Sequence, residues 1–177
     1  MSRWRADRSG RLAPVRPPHA GVAPMTSPAE TNVEPIRHAV NVEADQSRTF
    51  STFTRELATW WPVEAIAIEP GRVRDVCVEE RVGGRIYEIL DDGQERDWGH
   101  ILQWDPPNMV TFTWEVIKTP TLTEVELLFK PLGPALTRVE MTHRGWENLT
   151  SLLMESYLAH QSGWAFILSR FEAQVNG

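Results

Sequence analysis

TEVELLFKPLGPALTRVEMTHRGW, residues 123–146, is the stretch whose reading decides the fold. Val125, Leu127 and Phe129 alternate on one side of a Pro131-Leu132-Gly133-Pro134 turn, and Val139, Met141 and His143 alternate on the other. Period-two alternation flanking a short proline- and glycine-rich turn predicts two antiparallel strands with one face covered and one face wet. Glu124 and Glu126 then fall on the wet face.

Upstream the same pattern repeats. Val73 to Arg81 ends at Gly83-Gly84, and Arg85 to Leu90 ends at the hairpin signal Asp91-Asp92-Gly93. Glu95 to Trp104 ends at Asp105-Pro106-Pro107-Asn108, and Met109 to Ile117, with Val110, Phe112, Trp114 and Val116 in phase, ends near Pro120. The opening run, Ile36 to Val42, alternates through Ile36, His38, Val40 and Val42. With Leu122 to Phe129 and Leu136 to His143 the sheet has about seven members. Turns this short predict antiparallel neighbours, because a parallel crossover needs roughly a dozen residues.

Two helical segments complete the pattern. Asp45 is placed to cap a helix in which Phe50, Phe53, Leu57 and Trp60 or Trp61 recur at spacings of three and four, and Pro62 stops it. Pro62 to Gly71 reads as a loop or a short helical turn. From about Leu152 to Val175, Tyr157, Gln161, Trp164, Ile167 or Leu168, Phe171 and Val175 trace a second, longer stripe. No other segment is long enough to cover such a sheet. The expectation is one α+β domain over residues 35–175, a curved antiparallel sheet wrapped around a long C-terminal helix and enclosing an apolar pocket.

Bulk properties bound the rest. The 177 residues are 41% apolar, enough for one ordinary core and thin for two. The net charge of -6 is uneven: Arg3, Arg5, Arg8, Arg11 and Arg16 against Asp7 make the first 25 residues +4, which leaves about -10 on the remainder. A body this acidic repels phosphate backbones and argues against a nucleic-acid partner. The lone Cys77 excludes an intrachain disulfide and suits a reducing compartment, so a cytoplasmic setting is expected. No run approaches the ~18 apolar residues of a membrane span, nor the N-terminal apolar core of a secretory signal. Residues 1–30 carry Pro14, Pro17, Pro18, Pro24 and Pro28 with little to pack, which predicts a disordered tail. Met25 stands where the composition turns globular and is the expected true start.

Local words narrow the reading. Phe53-Thr54 and Trp60-Trp61-Pro62 are followed by Gly83-Gly84-Arg85-Ile86-Tyr87-Glu88, then by Asp97-Trp98-Gly99-His100 leading to Trp104-Asp105-Pro106-Pro107. Phe112-Thr113-Trp114, Thr123-Glu124-Val125 and His143-Arg144-Gly145-Trp146-Glu147 complete the order. Together these words, over Ile36 to Val175, resemble the activator of heat-shock-protein ATPase homologue-like family. That family lies within the SRPBCC superfamily of START-like and birch-pollen-allergen-like proteins. The resemblance implies the helix-grip fold. It also implies a superfamily of ligand carriers, polyketide cyclases and chaperone-binding domains, among which fold alone does not choose.

Seven tryptophans lie in the domain, and burying one indole removes ~200 Å² from water, worth roughly 5 kcal/mol, so most are structural. A curved sheet and a helix do not meet everywhere, however, and Trp98, Trp114 and Trp164 are candidates to line the gap. The expected lining is Tyr87, Trp98, Phe112, Trp114, Leu127, Met141, His143, Trp164 and Leu168. His143 shares the inward register of Val139 and Met141. It is either a buried histidine ordering the Arg144-Gly145-Trp146 turn, or a ligand contact or general base. Glu88 is ambiguous, because Tyr87 and Ile89 could equally take the inner face. Gly99 invites a bulge that leaves the direction of His100 open.

No catalytic set is legible. Gly-x-Ser-x-Gly is missing, no histidine pair has metal spacing, and Gly83-Gly84 lacks the third glycine of a dinucleotide loop. Cys77 reads as an inert small hydrophobe, and Asn148-Leu149-Thr150 as an unused glycosylation word. No metal or cofactor is expected. The function expected is a non-catalytic module holding a small hydrophobic or amphipathic ligand between sheet and helix. The alternatives are a polyketide cyclase or aromatase using His143 or Glu88, and a domain with a chaperone or other protein partner.

Overall fold

The computed structural model describes residues 33–117, 119, 122–146 and 154–177, together with the backbone of 4–6 and 12–14. Trp4–Ala6 (β1) and Leu12–Pro14 (β2) pair as a small antiparallel ribbon. The remainder of the expected tail, including Met25, lies outside the described residues.

The domain runs through β3 (Ile36–Val42), α1 (Gln46–Arg55), α2 (Leu57–Trp60), β4 (Val73–Val78), β5 (Arg85–Leu90), β6 (Glu95–Asp105), β7 (Met109–Trp114), β8 (Thr123–Gly133), β9 (Leu136–Arg144) and α3 (Met154–Asn176). Seven strands form one sheet in the order β3-β9-β8-β7-β6-β5-β4, every neighbouring pair antiparallel. β4 to β9 form a meander, and β3 closes one side against β9. The sheet curls into a half-barrel around α3, which is the helix-grip α+β fold. Among the described residues no helix is long and apolar enough to cross a membrane.

Local chemistry sets the element ends. The Asp45 side chain accepts from the Arg48 backbone N–H at 2.9 Å, so α1 begins with one of its free amides satisfied. β8 continues through the expected turn to Gly133, and the hairpin to β9 closes over Pro134-Ala135 alone. β4 ends at Val78 and β7 at Trp114, each three residues short of the sequence expectation.

Curvature comes from two irregularities in β6. Ile86 pairs with Gly99 but Tyr87 with Asp97, which bulges Trp98, and a second shift bulges Leu102. Gly99 is required at the first: a Cβ there would stand 1.8 Å from the Thr113 carbonyl oxygen. The bulge bends the strand and turns Trp98 and Gly99 inward together, leaving His100 on the outer face.

α3 is fastened along its length. The Tyr157 hydroxyl donates to the Glu34 carbonyl at 3.1 Å, His38 Nε2 donates to the Gln161 carbonyl at 2.9 Å, and the Glu43 N–H donates to Asn176 Oδ1 at 2.8 Å. Its inner stripe is His160, Trp164, Ile167, Leu168 and Phe171. Gln161, expected on that stripe, is exposed, and His160 takes the place. The reason is helical phase: 160, 164, 167 and 171 follow spacings of four, three and four, whereas 161 leads the stripe by about 100°.

Candidate functional site

Aromatic rings fill the space where an enclosed pocket was expected. Phe53, Trp60 and Phe171 pack with centroids 5.0 to 5.3 Å apart. Trp61 lies at the centre, 5.1 Å from Trp98, 5.8 Å from Trp114 and 6.0 Å from Trp164. The void left among Phe53, Leu57, Trp61, Trp98, Phe112 and Trp114 is about 20 Å³. That is room for about one water, in a lining with nothing polar to hold it. The physical reason is volume: α1 and α2 deliver Phe53, Trp60 and Trp61 into the gap that the sheet and α3 leave open.

The indole nitrogens of Trp60, Trp61 and Trp98 are all engaged. Trp60 Nε1 donates to the Thr52 carbonyl at 3.0 Å, and Trp61 Nε1 to the Ile66 carbonyl at 2.8 Å. Trp98 Nε1 donates to Glu88 Oε2 at 2.6 Å. Glu88 is fully buried and also accepts from the backbone N–H groups of Ile68 at 3.0 Å and Glu69 at 2.9 Å. It therefore takes the inner face with Ile86 and Leu90, and clips the Pro62–Gly71 segment onto the sheet. Tyr87 is corrected out of the lining. Strand alternation puts it on the outer face, under the Arg85 guanidinium 4.1 Å from its ring centroid.

Open space with apolar walls lies to one side. Between α3 and the Pro62–Gly71 segment runs an open groove of about 220 Å³. Ala65, Ile66 and Ala67 form one wall, Ala159, Gly163 and Ile167 the other, with Ile117 at the rim and Trp114 and Trp164 contributing their indoles. Gly163 keeps the helix wall low, since a Cβ there would find Ile66 Cδ1 as its nearest neighbour at 3.7 Å.

Beside the groove is a histidine and tryptophan cluster. His143, Trp146 and His160 pack with centroids 4.9 to 5.3 Å apart. His143 Nδ1 accepts from Trp164 Nε1 at 3.0 Å, so the proton of the neutral ring is on Nε2. His160 Nδ1 donates to the Ser156 carbonyl at 2.7 Å, so its Nε2 carries a lone pair. Burial, and secondarily the proximity of His160, push the His143 pKa down to about 3. Burial also lowers that of His160, against the opposing pull of the Ser156 carbonyl. Trp114 Nε1, His143 Nε2, Trp146 Nε1, Ser156 Oγ and His160 Nε2 are buried without a hydrogen-bond partner among the described residues.

Of the expected lining, Trp98, Phe112 and Trp114 meet around the small void, and Trp114 and Trp164 reach the groove. Leu127, Met141 and Leu168 are buried core residues that border neither space, and His143 lies behind Trp164. Ile66, His160 and Gly163 were missed. The available signal was the 160, 164, 167 phase of the last helix with a glycine one residue before Trp164.

The profile of the family described as Activator of Hsp90 ATPase homolog 1-like protein matches residues 43–176. The chain belongs to this family. Among solved structures, an anthrahydroquino-Gama-pyrone synthase, Txn09, complexed with SUM, is 30% identical with a TM-score of 0.54 and covers 80% of this chain and 97% of its own. The self-sacrificing resistance protein CalC from Micromonospora echinospora is 26% identical with a TM-score of 0.61, covering 80% and 94%. The Aha1 dimer from Colwellia psychrerythraea, 17% identical with a TM-score of 0.57 and coverage of 81% and 97%, shares the fold. No curated protein matches the chain. Membership in the Activator of Hsp90 ATPase homolog 1-like family supports a ligand-binding or cyclase-like module.

Proposed function

We propose that this chain is a small-molecule-binding module that takes a flat, largely apolar ligand in the groove between α3 and the Pro62–Gly71 segment. The observation that carries the reading is the contrast in free volume. About 220 Å³ is open beside Trp114 and Trp164, against about 20 Å³ in the aromatic interior. Indole faces and aliphatic walls suit a fused-ring guest, which gains stacking as well as apolar burial. The 30% identical synthase, complexed with SUM, and the 26% identical self-sacrificing resistance protein support a small-ligand role over a purely structural one.

A cyclase-like enzyme is the second reading, favoured by the 30% identical synthase. It receives no support from Glu88, whose carboxylate is engaged by three N–H donors, or from His143, which does not border the groove. The binding reading is the simpler fit.

The groove is tested by plugging it. Gly163→Leu projects a side chain toward Ile66 while improving helix propensity by roughly 1 kcal/mol, so the fold is retained. Titration with naphthalene, followed by tryptophan fluorescence, is expected to show binding to the native chain and at least a tenfold loss in Gly163→Leu. Equal affinity in the two proteins would refute the site.

A further inference from the structure

Two side chains that border the groove, Trp114 and His160, are more than nine-tenths buried and hold polar atoms with no partner among the described residues. They are of opposite kind. Trp114 Nε1 is an N–H that can only donate, and His160 Nε2 is a lone pair, because its Nδ1 proton is spent on the Ser156 carbonyl. The burial that lowers the His160 pKa keeps that lone pair free at neutral pH. Behind His160 stand two more unpartnered donors, His143 Nε2 and Trp146 Nε1, on rings whose centroids are 5.3 and 4.9 Å from its own.

Orphaned buried polar atoms are costly, and native proteins keep few of them. Here they gather at one end of the sheet-helix interface, on β7, in and just after β9, and on α3. The chemistry of the set narrows what would complete it. A ketone or ether oxygen accepts from the N–H groups but leaves His160 Nε2 without a proton. A carboxylate sets its own lone pairs against that of His160, and an ammonium faces the N–H donors. A hydroxyl has one proton to give and two lone pairs to offer, so a single oxygen answers both kinds at once, where a carboxamide must use two separate atoms.

We propose that this end of the groove is a hydroxyl-recognition subsite, and that the ligand class is an aromatic alcohol: a phenol, naphthol or hydroquinone. Its oxygen accepts from Trp114 Nε1, and its proton goes to His160 Nε2. The ring system lies against the Ala65–Ala67 wall and the indoles. The inference rests on the groove reading and deepens it by naming the polar group on the ligand.

Three probes of one shape test it: 2-naphthol, 2-methoxynaphthalene, which keeps the oxygen and loses the proton, and naphthalene. The native chain is expected to bind 2-naphthol about tenfold more tightly than 2-methoxynaphthalene, the worth of roughly one buried hydrogen bond. His160→Phe is expected to abolish that preference without weakening naphthalene. His160→Gln, which restores an acceptor oxygen, is expected to recover part of it, and Trp114→Phe to weaken 2-naphthol selectively. Should one variant fail to fold, the preference in the native chain and in the others still decides. Equal binding of the three probes to the native chain, with Gly163→Leu blocking all of them, would overturn the hydroxyl subsite and leave the groove standing. A preference undiminished in His160→Phe would overturn it as well. Binding of none of the three would overturn both readings.

Discussion

Trp60, Trp61 and Trp98 each place the indole N–H on an acceptor, whereas Trp114 and Trp146, in the same layer between sheet and helix, do not. The first group lies where α1, α2 and the Glu88 clip close the barrel. The second lies where α3 and the Pro62–Gly71 segment stand apart over a groove. Both regions are apolar and tryptophan-rich, so composition does not separate them; hydrogen-bond satisfaction does, apart from Trp164, whose indole N–H is held by His143. One region is finished as a folding core, and the other retains unspent donors and acceptors of the sort a ligand completes.

The sharpest way to break this contrast is at Glu88. Its carboxylate holds the part-buried Ile68 and Glu69 amides and the buried Trp98 indole, and Glu88→Ala removes the acceptor from all three. Hydrogen bonds to a charged group are worth about 1.5–3 kcal/mol each, and partial relaxation brings the expected loss to about 3–5 kcal/mol in urea unfolding. A loss under about 1 kcal/mol would show that the closed region does not depend on its polar satisfaction.

A paired substitution sharpens the comparison next. Trp98→Phe and Trp114→Phe remove similar volumes from buried positions, but only the first strips a hydrogen bond from a buried carboxylate. Trp98→Phe is expected to cost about 2 kcal/mol more than Trp114→Phe, measured as the difference of unfolding free energies. Equal costs would mean that the two indoles are energetically alike and that the contrast is one of geometry only.

Much of this was legible in the sequence. The sheet was, because the alternation in Val125–Phe129 and Val139–His143 and the turn words between runs are local signals. Asp45 as a cap and Gly99 as a bulge were legible for the same reason. The groove was not. Whether a sheet and a helix leave an enclosed pocket depends on how far Phe53, Trp60 and Trp61 reach from a different segment, and that is set by packing and not by spacing. Glu88 shows the limit most plainly. Alternation offered either face, and the choice was made by two backbone amides some twenty residues earlier in the chain and by an indole ten residues later.

The open region carries a pH signature. His143 is held neutral, its pKa pushed down to about 3, while the same residue in the unfolded chain titrates near its ordinary 6.5. Below that value the unfolded state binds the extra proton, so stability is full above about pH 6.5 and falls as the pH drops, by about 1.4 kcal/mol per unit for this group. Between pH 6.5 and 5 the expected loss from His143 is about 2 kcal/mol. His160 acts in the same direction, since burial lowers its pKa too. The salt-bridged carboxylates Glu79, Glu80, Asp92 and Glu140 have lowered pKa values and lose their contribution only at more acid pH, which leaves this window to the histidines. His143→Gln keeps an acceptor for Trp164 and is expected to flatten the slope by about 1.4 kcal/mol per unit. An unchanged slope would show that His143 is protonated in the folded chain.

The smallest effect is the most diagnostic of purpose. In the closed region any substitution of a polar partner destabilises, because every group there is used. In the open region His160 holds a buried lone pair that nothing in the described chain satisfies, and replacing such a group by an apolar one of similar shape relieves its desolvation cost. Against this stands the loss of the Nδ1 bond to the Ser156 carbonyl and the slightly larger six-membered ring. The balance expected for His160→Phe is a ligand-free protein more stable by up to about 1 kcal/mol, read as a higher urea midpoint at unchanged m-value. A residue whose removal strengthens the empty protein and erases its preference for a hydroxyl is retained for binding. A clear destabilisation by His160→Phe would place His160 with Glu88 as part of the folding core, and the division between the two regions would dissolve.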